Sequence, residues 1–450
     1  MTTLSLPVLS SQQTSSQKPK ATTVGPYFVA NYPPFGFWKP ELTDRFADVL
    51  QQPHAKDVEM GIYAHIPFCR KRCHFCYFRV YTDKNSREVR SYLDAVLQEL
   101  RLYANSPAMG ARKPTFIYFG GGTPSYLSPD QIRYLTDEMK RILPWDNVRE
   151  VTYEAEPGTL NATKLKTLRE VGVTRLSLGI EHMDDDVLSV NGRAHRSKEV
   201  RTAYAYAREV GFDYINVDLI AGMLEETDQK WSDTVAQVLA MAPDAVTIYQ
   251  MEVPYNSGIY QKMQADNSLQ APVADWETKR RWVHEAFATF EQAGYTVVSA
   301  TTVMRNPKTP YLYRKGLFDG TDLFSIGVSS FGYVNGVNYQ NLHDFDPYVN
   351  AVGSGTLPTY RAYSLSSHER YIRELCLQLK NGRVSTPAFT RKFGMSPREH
   401  FSDAIASLES AELLSEVNGQ LVLSRQGLME VDRLIVDNFF RPEHRVGRMT

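Results

Sequence analysis

Ile62-Tyr-Ala-His-Ile-Pro-Phe68, followed without a break by Cys69-Arg-Lys-Arg-Cys73-His-Phe-Cys76-Tyr77, is the stretch from which the rest of this chain is read. It holds three of the four cysteines, spaced C-x3-C-x2-C, directly after a largely apolar run. Closely spaced thiolates of this kind hold iron–sulfur clusters. A 4Fe–4S cube has one more iron than the loop has thiolates. One corner is therefore open, as at catalytic rather than structural metal sites, and can bind a substrate or cofactor. The competing readings are three incidental thiols or a zinc knuckle, with His74 as fourth ligand. Cys376, far away in an apolar helical pattern, reads as a buried small hydrophobe.

Composition narrows the setting. The chain has 450 residues, net charge -1 and 42% hydrophobic residues, enough for one large domain and one or two small ones. That charge balance favours neither nucleic acid nor an anionic membrane surface as partner. Four cysteines, three of them clustered, suit a reducing compartment and a metal site. Residues 1–24 are rich in Ser, Thr and Gln and lack the apolar stretch of a secretory signal, so they read as a disordered tail. No run approaches the ~18 apolar residues of a membrane span. A cytoplasmic protein is expected.

Between residues 61 and 300 short apolar runs alternate with amphipathic stretches. The predicted strands are 61–67, 115–120, 150–155, 175–181, 214–221 and 245–253. The predicted helices are 86–104, 129–142, 162–171, 198–210, 228–241 and 275–293, with 295–303 as an edge strand. In the first helix Val89, Tyr92, Leu93, Val96, Leu97 and Leu100 share one stripe. Units of this rhythm imply a parallel sheet with helices outside it, an α/β architecture closing into a partial barrel. Parallel strands covered on both faces should be apolar throughout, yet here polar residues repeat at every second position. Glu154 pairs with Glu156, Ser177 with Glu181, Asn216 with Asp218, and Gln250 with Glu252 on one face. Tyr153, Leu176, Ile215, Tyr249 and Met251 are expected under the helices. A ligand-holding lumen is predicted.

The remaining organisation is coarser. Residues 25–60, dense in aromatics from Tyr27 to Trp38, form an N-terminal arm that either packs or acts as a lid. Residues 301–364 extend the barrel and link onward, with a Gly/Ser-rich strand and turn at 324–333. Residues 365–450 read as a separate helical domain. It has a capping box at Ser366-Ser-His-Glu369, a helix over 397–409, a hairpin turning at Asn418-Gly419 and a last helix over 425–438. Helices followed by a hairpin suggest a winged helix, but no basic recognition stripe accompanies it.

Other groups carry chemistry. Gly120-Gly121-Gly122-Thr123 follows an apolar strand and permits close backbone approach to a ligand, without the spacing of a dinucleotide or phosphate loop. Glu154, Glu181, Arg193 and Asp218 fall at or beyond strand ends, where carboxylates can meet hydroxyls or an ammonium and arginine can grip a carboxylate. Surface ion pairing is the plain alternative for each. His65 reads as a hydrogen-bonding strand residue.

The cysteine loop resembles the signature of radical S-adenosylmethionine (SAM) enzymes. His65-Ile-Pro-Phe-Cys69, Phe119-Gly-Gly-Gly-Thr-Pro124, Arg175-Leu-Ser-Leu-Gly-Ile180, Asn216-Val-Asp-Leu-Ile220 and Ile326-Gly-Val-Ser-Ser330 resemble the oxygen-independent coproporphyrinogen III oxidase (HemN-like) group, over residues 25 to 435. The resemblance implies a partial (β/α)6 radical SAM barrel with a C-terminal winged-helix-like helical domain. It implies a 4Fe–4S cluster on Cys69, Cys73 and Cys76 that cleaves SAM to methionine and a 5′-deoxyadenosyl radical. Tyr63, Gly121, Glu154, Glu181, Arg193 and Asp218 then fall at the cleaved SAM, with Phe75 beside it in the loop. Gly122, Thr123, Met251 and Phe331 fall where the oxidases hold a second SAM. An electron donor such as flavodoxin or ferredoxin and a small-molecule substrate, a tetrapyrrole among the candidates, are further implications.

Three departures from the oxidase pattern bear on activity. Phe78 stands where the oxidases have a further cysteine, Glu181 where they usually have glutamine, and Gly222-Met-Leu-Glu225 in place of a Gly-Leu-Pro-Gly-like turn. Three functions remain open: radical oxidative decarboxylation of a tetrapyrrole side chain, class C radical SAM methylation with two SAM molecules, and a heme-binding chaperone. For the last, Asn341, His343 and Tyr348 resemble the chaperone pattern loosely.

Overall fold

The computed structural model describes residues 28–54, 58–266 and 272–445; the predicted tail lies outside them. Six parallel strands follow in order: β1 (Met60–Ile66), β2 (Phe116–Gly121), β3 (Glu150–Ala155), β4 (Arg175–Glu181), β5 (Tyr214–Ala221) and β6 (Ala245–Gln250). The helices between them are Ser86–Ala104, Pro129–Ile142, Ala162–Glu170, Asp185–Val190 with Ser197–Val210, and Asp228–Met241. Sequence bounds hold to within a residue or two, except that 245–253 ends early at Gln250. The helix starts are set by local chemistry. Asn85 with Glu88 and Ser128 with Gln131 form capping boxes that satisfy orphan backbone donors.

The expected edge strand over 295–303 is instead two short strands, β7 (Thr296–Val297) and β8 (Thr302–Met304), with β8 antiparallel to β6. Beyond the other edge, β9 (Asp322–Ile326) pairs parallel to β1, with Met60 opposite Asp322. It continues antiparallel through β10 (Phe331–Val334), β11 (Val337–Asn341) and β12 (Thr359–Ser364). Among the described residues this makes one 12-stranded sheet, ordered β12-β11-β10-β9-β1-β2-β3-β4-β5-β6-β8-β7. The predicted strand and turn at 324–333 is thus two strands around Gly327–Ser330.

One sheet face is apolar and lies under the helices: Ile62, Ile66, Ile117, Phe119, Tyr153, Leu176, Leu178, Ile215, Val217, Val246 and Ile248 are all buried. The alternate residues turn inward. β6 runs opposite to expectation: Val246 and Ile248 go under the helices with Gln250, whereas Tyr249 faces the lumen and is 42% exposed there. The apolar side chains decide the register, because slipping it would move both from core to cavity.

A buried ion pair fastens the entry of β1 to β9. Arg112 donates to Asp322 (2.8 Å) and to the carbonyls of Val58, Glu59 and Ala108 (3.1, 3.0 and 3.2 Å). Arg112→Ala strands the Asp322 carboxylate, so a loss of about 3–5 kcal/mol is expected in chemical unfolding; a loss below about 1 kcal/mol would contradict that role.

The C-terminal domain begins with Ser367–Leu379, capped as expected by Ser366 and Glu369. Its buried face includes Cys376. β13 (Arg383–Ser385), β14 (Leu414–Val417) and β15 (Gln420–Leu423) make a three-stranded wing, turning through Asn418 and Gly419 at positive φ. The predicted single helices are each broken in two, at Phe401 and Glu430.

The arm is packed. Asn31 bonds Asn338 and Arg373, Tyr32 bonds His444, and Lys39 pairs with Ala362 on β12. On the other side of the sheet, the Ala300 amide donates to Lys380 (2.8 Å). The arm and the C-terminal domain thereby join the two ends of the curved sheet.

Candidate active site

The cysteine loop crosses the C-terminal ends of the strands. Cys69 is buried, and Cys73 and Cys76 are half-buried. The Arg193 guanidinium donates to the Cys73 sulfur (3.3 Å), and the Thr123 hydroxyl lies 3.3 Å from the Cys69 sulfur. Burial pushes the Cys69 and Cys76 thiols up to about 12 and about 11, so a cation must replace the proton before either becomes a ligand. Among the described residues no three Cys, His, Asp or Glu groups converge as a single ion requires. A four-iron cube, which takes one thiolate per iron, suits this set better than zinc.

Glycines clear the space around the loop. A Cβ on Gly122 would come within 2.9 Å of the Pro67 backbone and 3.1 Å of the Cys69 sulfur. Gly121, at φ 115°, would meet the His65 ring at 2.6 Å. His65 is buried on β1, bonded to the Tyr63 hydroxyl at 3.2 Å, and burial lowers its pKa to about 4. Its expected role as a strand residue holds.

Three carboxyls stand on the inner wall. Glu154 accepts from the Tyr118 hydroxyl (2.5 Å) and the Gly121 amide (3.1 Å). Asp218 accepts from Ser177 (2.8 Å) and Asn216 (2.9 Å), and Thr247 continues this ladder by donating to Asn216. Glu181 ends β4 at φ 65° and lies 3.5 Å from Arg193, which also donates to the Gly179 carbonyl (2.5 Å). A non-glycine residue held in that region is typical of functional strain. Desolvation raises all three to about 7; like charge among them adds to this, and their hydrogen bonds or Arg193 oppose it. Each keeps a partly open face to the lumen.

Not every predicted residue reaches the lumen. Glu156, expected on the inner face, lies beyond the end of β3 and clamps Arg70 (2.9 Å) and His195 (2.9 Å). Burial alone would raise its pKa, but these partners hold it at about 2. It fixes the cysteine loop against the β4 side. Glu252 accepts from the Phe28 amide of the arm. Phe75 packs on Val187, Met223 and Met251; Met251 is 3% exposed and sealed behind it. Phe331 packs on Phe35 and Trp38 of the arm. Asn341 and Tyr348 are buried, both bonded to Glu99 (2.6 and 2.5 Å), so they serve the scaffold. His343 is exposed beside Tyr360.

The floor was not anticipated. Glu150 accepts the amides of Leu312 and Tyr313 (2.9 and 3.2 Å), anchoring the helix Leu312–Asp319 beneath the barrel. Tyr313 stacks on Tyr118 (4.1 Å) and Tyr63 (6.4 Å), while Tyr311 lies over Arg175. With Tyr249, which stays exposed in the lumen, these rings form an aromatic floor below the cysteine loop. The available signals were the Tyr-Leu-Tyr triplet at 311–313 and Tyr118, two residues from Gly120 and so on the same face.

Comparison with known proteins agrees with this geometry. Residues 63–238 match the Radical SAM superfamily, and residues 365–429 match the HemN C-terminal domain. The chain is 30% identical over 371 residues to the heme chaperone HemW of Bacillus subtilis, covering 81% of this chain and 95% of that protein. It is 27% identical over 408 residues to the oxygen-independent coproporphyrinogen III oxidase of Helicobacter pylori strain J99, covering 87% of each. Among solved structures, the coproporphyrinogen III oxidase HemN from Escherichia coli, described as a radical SAM enzyme, shares the fold. The TM-score is 0.77 at 21% identity, over 91% of this chain and 96% of that one.

Proposed function

The chain belongs to the radical SAM superfamily, in its HemN-like group, and on that premise we propose that it is an oxidoreductase acting on a broad conjugated substrate of tetrapyrrole type. The observation that carries the reading is the set of three thiols at the strand ends above an inner wall on which Tyr249 stays exposed, an aromatic face that a flat conjugated guest can meet. When bound, the 4Fe–4S cluster supplies the electron that splits SAM into methionine and a 5′-deoxyadenosyl radical. Cys69, Cys73 and Cys76 would hold that cluster. Arg193 steadies the Cys73 thiolate and balances Glu181. Gly121 and Gly122 leave room for SAM against the loop, and Glu154, Glu181 and Asp218 offer it hydrogen bonds and charge. In a two-SAM site Gly122 and Thr123 border the second molecule, while Met251 backs Phe75.

Anaerobic incubation with dithionite, SAM and candidate tetrapyrroles, followed by mass spectrometry, tests the proposal. Loss of CO2 is the expected outcome. Gain of a one-carbon unit would instead mark a methylase, and no 5′-deoxyadenosine above background would end the enzymatic reading.

The three lumen carboxyls make SAM binding pH-dependent. With pKa values raised to about 7 they are neutral below that pH and anionic above it. A sulfonium cation gains only from the anionic form, so affinity should rise with pH. One such group implies about a tenfold gain between pH 6 and pH 8. Equilibrium dialysis of reconstituted protein measures it, and Asp218→Asn should flatten the curve. A pH-independent Kd would show that these carboxyls do not face the cation.

The similarity to HemW supports a second reading, a heme-binding chaperone, with His343 as the accessible candidate ligand. Heme titration checks it: a Soret band that His343→Ala leaves unchanged counts against that residue.

A further inference from the structure

A cavity of about 160 Å³ opens at the end of the barrel away from the cysteine loop. Met304 lines it and pairs with Ala245, the first residue of β6, which places the cavity at the strand starts. Parts of the chain far apart in sequence meet there: the β7–β8 hairpin, the helix Leu312–Asp319, and Asn381 just beyond the first helix of the C-terminal domain. Its polar lining comes from Thr309, Tyr311, Arg314, Lys315 and Asn381, and includes no carboxylate.

Arg314 is the group that the fold leaves unbalanced. Its Nη1 donates to the hydroxyls of Ser299 (3.0 Å) and Thr302 (3.1 Å), and the guanidinium lies 5.4 Å from the centre of the Tyr311 ring. Those bonds use one nitrogen only, so the Nε and Nη2 edge of the fork remains free. Among the described residues no Asp or Glu pairs with it. Burial lowers its pKa, and the charged neighbour acting on it, Arg175, pushes the same way. Glu150, beside Arg175 at 3.5 Å, is taken up by the Leu312 and Tyr313 amides and the Thr152 hydroxyl. Lys315 is paired with Asp319 (2.5 Å). The Asn381 side-chain oxygen is buried without a hydrogen-bond partner. A cation drawn out of water is ordinarily matched by an anion, and a buried acceptor by a donor.

We propose that this cavity is a binding site for a phosphate-class oxyanion, held by Arg314 and Asn381. The site lies outside the cysteine loop and does not depend on the radical reading. A guanidinium fork meets two oxygens of an oxyanion at once. Hydrogen phosphate also keeps an O–H, which can donate to the Asn381 oxygen. Sulfate and acetate at pH 7 offer acceptors only and would leave that oxygen unpaired, at a cost. A bound phosphate would tie the helix under the barrel to the β8 edge and to the C-terminal domain.

Calorimetric titration of the reconstituted full-length protein with inorganic phosphate at pH 7, with sulfate and acetate in parallel, tests the proposal. Saturable phosphate binding is expected, with both comparators weaker by about threefold or more. Arg314→Met should weaken phosphate binding by about tenfold or more, and Arg314→Lys should recover part of the loss. Lys166→Met, on the exposed side of Ala162–Glu170, should change nothing. Should Arg314→Met fail to fold, Asn381→Asp answers the question. It keeps the arginine, sets a carboxylate in the cavity, and should abolish phosphate binding by a folded protein. Glycerol 3-phosphate binding more tightly than inorganic phosphate would support the site and assign it to the phosphoryl end of a larger molecule; the reverse order would support it for the free ion. No saturable binding at millimolar phosphate overturns the proposal. So does wild-type affinity in Arg314→Met or Asn381→Asp, or an affinity for sulfate or acetate equal to that for phosphate.

Discussion

Cys73→Ala is expected to leave the protein folded, colourless after anaerobic reconstitution, and without 5′-deoxyadenosine formation. Cys73 is the thiol that Arg193 addresses, and its neighbours Cys69 and Cys76 are pushed up by burial. With only two thiolates left in the loop, a second iron of the cube has no cysteine ligand. Iron content, visible absorbance and product formation are the measurements. Full 5′-deoxyadenosine yield from this variant would remove the cluster from the mechanism, as would stoichiometric zinc and no iron in the wild-type protein.

Arg193→Met carries the next largest effect. Burial by itself would lower the pKa of this guanidinium, but Cys73 and then Glu181 raise it above its ordinary value, so it stays charged in the lumen. Methionine keeps the volume and deletes the charge. Glu181 then loses its cation and Cys73 its donor. Partners of metal ligands typically account for 10–100-fold in metal affinity or activity, and a loss of about that size is expected in both iron retention and SAM cleavage. Arg193→Lys should restore part of the charge effect without the forked contact to Gly179 and Cys73. Iron retention equal to wild type in Arg193→Met would reduce the residue to a structural ion pair.

Much of this was readable before any coordinates. The 3.6-residue stripe of Val89 to Leu100 and the period-two alternation of Ser177, Asn216 and Asp218 gave the helices, the strands and the inner wall. The errors have physical causes. Val246, Ile248 and Gln250 share a face, and on β6 two aliphatic side chains outweigh one amide in choosing the core side, so Tyr249 turned inward. Glu156 shares its parity with Glu154, but the strand ends before it and Arg70 with His195 draws it away. The pairing of β9 with β1 joins residues about 260 positions apart, a distance at which local pattern carries no information. The tyrosine floor is likewise a tertiary product, set by Glu150 holding the Leu312–Asp319 helix under strands that end far from it in the chain.

The seam between arm and C-terminal domain has a consequence for assembly. Val29 meets Asp432, Asn31 meets Arg373 and Tyr32 meets His444 across 403, 342 and 412 positions. Contacts of such separation form late, because the intervening loop must be ordered first. During synthesis all six strands and the cysteine loop therefore emerge before the residues that complete the closure. The seam that ties the arm to the C-terminal domain is therefore the last part of the fold to close.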